Sequence, residues 1–220
     1  MKKEGLTQQA YKAIKELILS SRLVPGQVVT ESEMQQSLGF GRTPIREAFL
    51  ELSRDQLVVI HPRKGIEICS FSPKKVRDIF KARVLLEPPI LYEYMDQLDQ
   101  EWLLSMKKAF APFTVNAREE DQRKEIVAQA NVDDEFHRII VGLMGNSYLN
   151  RLMDSFFDYL TMIRIAVSHN TDRYNESNLE HVALIDAILA GDREDARDKL
   201  KIHIDNSLKA TMENFMYSQY

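Results

Sequence analysis

From Ser72-Pro73 onward the chain never sustains the period-two alternation of apolar and polar residues that a half-buried strand needs, and this confines roughly two-thirds of it to helices. Ser72-Pro73 itself is an N-cap and first-turn pair. Breaks fall near Leu98-Asp99, around Pro112 to Asn116, at Gly145-Asn146, from Asn170 to Asn175 and at Gly191-Asp192. Six helices are predicted between them, over about 73–97, 100–114, 119–144, 147–169, 175–190 and 192–217. Pro88-Pro89 removes two amides inside the first of these and predicts a kink there. There is no internal repeat and no low-complexity tract.

The N-terminal segment is patterned differently. Ala10, Ile14, Leu17 and Ile18 form one helical stripe, Pro25-Gly26 forces a turn, and Val28-Val29 can make a short strand. Thr30 and Glu33 have capping-box spacing, Met34 and Leu38 supply a buried stripe, and Gly39 stands where a helix ends on a positive φ. In "GRTPIREAF", Pro44 fits a first helical turn, so a helix should begin between Gly41 and Thr43. Ile45, Ala48, Phe49 and Leu52 then face the core, which leaves Arg42 and Arg46 on the exposed side. "LVVIHPRKGIEIC" reads as strands Val58 to Ile60 and Ile66 to Cys69 around a basic loop. Helix, strand, helix, helix, hairpin is the order of a winged helix-turn-helix, whose third helix enters the major groove N-terminus first. An arginine there can grip guanine bidentately or clamp a phosphate. Arg42 and Arg46 also fit ordinary solvated helix charges paired with Glu47 and Glu51.

Charge and composition agree with a small module joined to a larger one. Residues 1–65 carry 10 Lys+Arg against 7 Asp+Glu, leaving 19 against 26 for the remainder. A chain of 220 residues, 44% hydrophobic and 28% charged, is expected to be globular with a substantial core. The single cysteine, Cys69, excludes an intramolecular disulfide. The start MKKEGLTQQAYK has no apolar signal-peptide region and no stretch reaches membrane-spanning length, so a cytoplasmic location with no membrane partner is expected. The fold class is therefore mainly α, with a winged helix-turn-helix over 1–70 and an all-α bundle over 71–220.

"PGQVVTESEM", "LGFGRTPIREAF", "LSRDQLV" and "PRKG", in that order across residues 7–69, resemble the GntR family of bacterial transcription regulators. The resemblance implies operator contacts from Arg42, Thr43 and Arg46, with Arg63 and Gly65 in the wing. Three positions depart from the pattern: Gly41 replaces a hydroxyl residue, Gln56 stands where glycine is common, and Ser32 where some members carry a DNA-contacting arginine.

Three histidines have suggestive neighbours. Asp133 and His137 are spaced i, i+4 and share a helix face. His181 lies 10 residues before Gly191 and His203 lies 12 after it, so across a helical hairpin their heights differ by only about 3 Å. One carboxylate and three imidazoles in a bundle can hold Zn(II), Ni(II) or Mn(II), although each histidine alone also fits a satisfied core or surface residue. His61 and His169 have no such company and read as exposed.

"DDEFH", "LEHVALIDAILAGDREDA" and "KIH" resemble the FCD effector domain of the FadR-type branch of the same family, thinly across 73–217 but densely at these residues. That resemblance implies a metal held by Asp133, His137, His181 and His203, and a small carboxylate effector meeting Arg83 of "KARVLLEPP". Arg83 equally fits a pair with Glu87 one turn on. The expectation is a homodimeric, ligand-responsive DNA-binding regulator and not an enzyme. The rivals are a metal-dependent hydrolase, for which no general base stands out because Asp134 and Glu135 point elsewhere on the helix, and a regulator whose signal is the ion itself.

Overall fold

A computed structural model describes residues 5–110, 119–167 and 171–217. Its contacts divide the chain into two compact units, Met1–Phe71 with Phe157–Ala166, and Ser72–Phe156 with Val167–Tyr220.

In the first unit, α1 (Leu6–Leu19) and α3 (Arg42–Arg54) pack together, burying Ala10, Ile14 and Ile18 against Ile45, Ala48, Phe49 and Leu52. Each large side chain among these contributes about 1.5–3 kcal/mol by leaving water. Between them α2 (Glu31–Leu38) is closed by local chemistry at both ends. Thr30 and Glu33 form a reciprocal capping box, and Gly39 ends the helix at φ 73°. The strands β1 (Val28–Val29), β2 (Val58–His61) and β3 (Gly65–Ile68) form an antiparallel sheet in the order β1-β3-β2. Gly65 is required by that order. At φ 118° a Cβ on it would stand 2.8 Å from the Val29 carbonyl oxygen, so only glycine lets the wing close on β1.

In the second unit, α4 (Pro73–Tyr94) starts at Ser72, whose hydroxyl accepts the Lys75 amide, and runs unbroken through Pro88 and Pro89. A 3₁₀ turn at Met95–Gln97 leads to α5 (Gln100–Ala109), α6 (Glu119–Gly142), α7 (Ser147–Val167), whose residues Phe157–Ala166 count with the first unit, α8 (Thr171–Leu189) and α9 (Arg193–Tyr217). α9 packs on both α4 and α8, α4 also meets α6, and α5 meets α6 and α8. The centre of this unit is thus reached from α4, α6, α8 and α9. No described helix is long and apolar enough to cross a membrane.

One helix departs from its predicted start. α8 begins at Thr171 rather than near 175, through the polar TDRYN stretch that reads as a loop. Tertiary bonds outweigh propensity there: Arg173 reaches Glu180 two turns on and Ser207 on α9. The predicted break around Pro112 to Asn116 and His169 lie outside the described residues.

Candidate functional site

Two constellations stand out, one in each unit. At the start of α3, Gly41 enters the helix in extended conformation, with no side-chain cap to block its first amides. Burial of Ile45, Ala48 and Phe49 turns the opposite face outward, so Arg42, Thr43 and Arg46 are all exposed. They line one shallow depression with Glu47 and Leu50. The acidic neighbours do not absorb the arginines: Glu47 accepts from the Thr7 hydroxyl at 2.6 Å, and neither arginine has an ion-pair partner among the described residues. In the wing, Arg63 is exposed at φ 66°. His61, expected to be exposed and alone, is instead part-buried with Nε2 2.7 Å from Glu67 Oε2, because cross-strand packing brings the two onto one face.

The second constellation is the centre of the helical unit. Asp133 and His137 project together from α6, His181 from α8 and His203 from α9, and one ligand atom from each lies within 4.8 Å of all the others. The hairpin arithmetic holds, since the rings of His181 and His203 are 4.1 Å apart. All three imidazoles are buried and Asp133 is part-buried.

Each ring is oriented by what its Nδ1 meets. His137 Nδ1 faces Glu87 Oε2 at 2.7 Å, His181 Nδ1 faces the Ser177 carbonyl at 2.8 Å, and His203 Nδ1 faces Glu180 Oε2 at 2.8 Å. All three partners are acceptors, which places the proton on Nδ1 and leaves Nε2 as a lone pair. The Nε2 atoms then converge. Those of His137 and His203 are 3.3 Å apart, and Asp133 Oδ1 stands 3.5 Å from His181 Nε2 and 3.9 Å from His203 Nε2. His181 Nε2 is buried with no hydrogen-bond partner. Facing lone pairs and an orphaned acceptor are costly unless a cation sits among them. Ligands at about 2.1 Å from an ion stand about 3–4.2 Å from one another; the 3.3, 3.5 and 3.9 Å separations fall in that range, and the donor chemistry suits a divalent metal.

Electrostatics favour neutral rings at His181 and His203. Burial pushes His181 well below its ordinary value, with His203 adding to the effect, and burial likewise lowers His203. Burial alone would raise Glu87, but Arg83 and His137 hold it down at about 2. Glu180 is likewise held at about 2 against its burial, by hydrogen bonds from His203 and Arg173. The flat face of His181 is covered by Phe110, 4.1 Å away and nearly parallel.

Arg83 is in this cluster, 1% exposed, and grips Glu87 through Nε at 2.6 Å and Nη2 at 3.3 Å. The pairing one turn on and the position beside the imidazoles therefore occur together. Sequence reasoning missed the carboxylates behind the rings. Glu87 showed only as an arginine partner, and Glu180 only as the residue before His181. Asp134 is buried and Glu135 exposed, whereas Asp133 joins the cluster.

Residues 78–206 match the FCD domain family, and residues 6–68 match the family of bacterial regulatory proteins, gntR family. The chain is 27% identical over 199 residues to the HTH-type transcriptional regulator YdhC of Bacillus subtilis (strain 168), covering 90% of this chain and 87% of that one. Its fold is similar to that of a GntR transcriptional regulator from Rhodococcus sp. RHA1, with TM-score 0.81 at 17% identity over 94% of this chain and 97% of that one. The helical part is similar to the Zn2+-bound FCD domain of the regulator TM0439, with TM-score 0.53 and 26% identity over 66% of this chain and 97% of that one.

Proposed function

This chain belongs to the FadR-type branch of the GntR family of bacterial transcription regulators, those with an FCD domain, and we propose that its hold on operator DNA is set by a small organic acid bound beside a divalent metal. The observation that carries the reading is the convergence of three Nε2 lone pairs and one carboxylate, with His181 Nε2 orphaned. Asp133, His137, His181 and His203 would hold the ion, with zinc the first choice for such ligands and nickel or manganese alternatives. When bound, the ion supplies a Lewis-acidic anchor for oxygen ligands. Three neutral imidazoles and one carboxylate leave it a net charge of about +1, which suits an anionic chelator. A carboxylate that also reaches Arg83 does so by exchanging with Glu87, so effector binding and the orientation of His137 are linked through one arginine.

Residues 1–70 form the DNA-binding part of this reading, and 71–220 the effector and dimerisation part. Arg42, Thr43 and Arg46 read the major groove, while Arg63 touches the adjacent backbone or minor groove from a wing shaped by Gly65. A single module of this size offers little contact, so a homodimer on a two-fold operator, acting in the cytoplasm, is the working form. The occupancy of Arg83 by Glu87 also favours a second reading, in which the ion is itself the signal. Elemental analysis of the purified protein, followed by operator titrations with metal alone and with organic acids on the metal-loaded dimer, separates the two. A protein that takes up no divalent ion under any loading condition ends both.

A further inference from the structure

The two carboxylates behind the imidazoles are not equivalent. Glu87 is sealed with Arg83 in the interior. Glu180 is 22% exposed and tied to the molecular surface. It precedes His181 in sequence, yet it serves the histidine of the other helix, accepting the Nδ1 proton of His203. Its other oxygen takes Asn206 Nδ2 at 2.8 Å and Arg173 Nη1 at 2.9 Å. Arg173 Nη2 bonds Glu180 Oε2 at 2.9 Å and Ser207 Oγ at 3.2 Å. One arginine and one carboxylate of α8 thereby fasten the stretch of α9 that carries His203.

We propose that Glu180, clamped by Arg173, is a positioning residue for the metal centre that holds His203 in the one tautomer able to receive an ion. This rests on the metal reading above. The alternative tautomer has a specific partner waiting: with its proton on Nε2, His203 would donate to His137 Nε2, only 3.3 Å away. That His-to-His hydrogen bond would satisfy both nitrogens and close the centre to cations. An ionised Glu180 opposes it, because a carboxylate can only accept and therefore keeps the proton on Nδ1. It also raises the basicity of the ring, as carboxylates behind metal-binding histidines do. A purely structural role would need the hydrogen bond but not its direction.

Two measurements on the full-length protein test this. In the metal-stripped state, long-range proton–nitrogen correlation should find His203 protonated at Nδ1 in wild type, and shifted toward Nε2 protonation in Glu180→Gln, whose amide can donate to Nδ1. In Co2+ titration against a competing chelator, Glu180→Gln should bind about ten- to a hundredfold more weakly. Arg173→Gln leaves Glu180 in place and should lose less; it carries the test if Glu180→Gln does not fold. Asp186→Asn is the control, since it removes the same charge from α8 while its partner is Lys107 of α5 rather than Arg173 or His203. Wild-type protein that binds no Co2+ overturns the metal reading and this proposal with it. Wild-type binding matched by Glu180→Gln, or an equal loss in Asp186→Asn, overturns the proposal alone.

Discussion

Arg42 and Arg46 stand exposed at the start of α3 with no ion-pair partner among the described residues, whereas Arg83, the same side chain in α4, is 1% exposed and bound through two nitrogens to Glu87. At the α3 tip the charges remain in water and cost the fold nothing, so they are available to an external anion. In the helical unit two arginines are each committed to a carboxylate that in turn orients an imidazole: Arg83 to Glu87 and His137, Arg173 to Glu180 and His203. Burial therefore separates an arginine left open to an external anion from one that builds, and residue type alone does not.

The largest test of that contrast is Arg83→Met. It leaves Glu87 buried without its cation, and removing one partner of a buried pair costs about 3–5 kcal/mol. Arg46→Ala should change stability by no more than about 0.5 kcal/mol. Urea unfolding of the metal-free proteins compares them directly. Equal midpoints would mean that Glu87 finds other compensation and that the contrast fails.

Acid should weaken the metal-free helical unit in two steps. His181 and His203 have folded values below 6.5, so the unfolded chain takes up more protons, and their contribution is lost as pH falls from about 6.5 toward those lowered values. Glu87 and Glu180, at about 2 when folded against 4.5 as free groups, contribute above 4.5 and lose that contribution as pH falls toward 2. Metal occupancy should fall below about pH 6, because coordination needs neutral rings. Thermal melts across this range, with and without metal, should show a steeper acid limb with it from pH 7 to 5, because metal-bound rings take up no protons and the ion's stabilisation is lost as it leaves. A flat metal-free profile there would contradict burial of neutral imidazoles.

Local features were legible in the sequence because their physics is local. The Thr30–Glu33 box, the Gly39 cap and the i, i+3, i+4, i+7 stripe of α3 need no knowledge of the rest of the chain. His181 and His203 could be matched across Gly191 because a helical hairpin converts residue counts into heights. What stayed hidden depends on rotation between packed helices. Glu87 meets His137 from 50 residues away, and Glu180 turns its back on its neighbour His181, since adjacent helical residues point about 100° apart. The start of α8 was missed for the same reason, as its support comes from Glu180 and α9 rather than from its own polar first turn.

At the exposed α3 tip the expected effects are smaller in stability and larger in binding. Arg42→Ala and Arg46→Ala should each weaken specific operator binding by about 1–3 kcal/mol if they read bases, with unchanged helical content. Footprinting at fixed salt, paired with circular dichroism, measures both. A uniform loss on specific and random DNA would reassign the pair to phosphates.

The smallest expected effect concerns the scaffold behind that tip. Gln56 follows α3 at φ 60°, a left-handed conformation, in a turn where its amide donates to Ser53 at 3.2 Å and Leu57 donates to Leu52 at 3.0 Å. A side chain there costs about 1–2 kcal/mol, which explains why the resemblance sets glycine at this position. Gln56→Gly relieves that strain, but glycine's unfolded-state entropy offsets about 0.5–1 kcal/mol of the gain. The net should be a stabilisation within about 1 kcal/mol, read as a small rise in melting temperature. Asp55 next door accepts from Tyr11 at 2.6 Å and so keeps the end of α3 fixed against α1, which leaves the arginines at its other end undisturbed. Operator affinity should therefore stay within about twofold of wild type, a change below about 0.4 kcal/mol. A larger loss would mean that the strained turn itself sets how α3 is presented, so that the exposed arginine tip depends on stored backbone strain at the helix's far end.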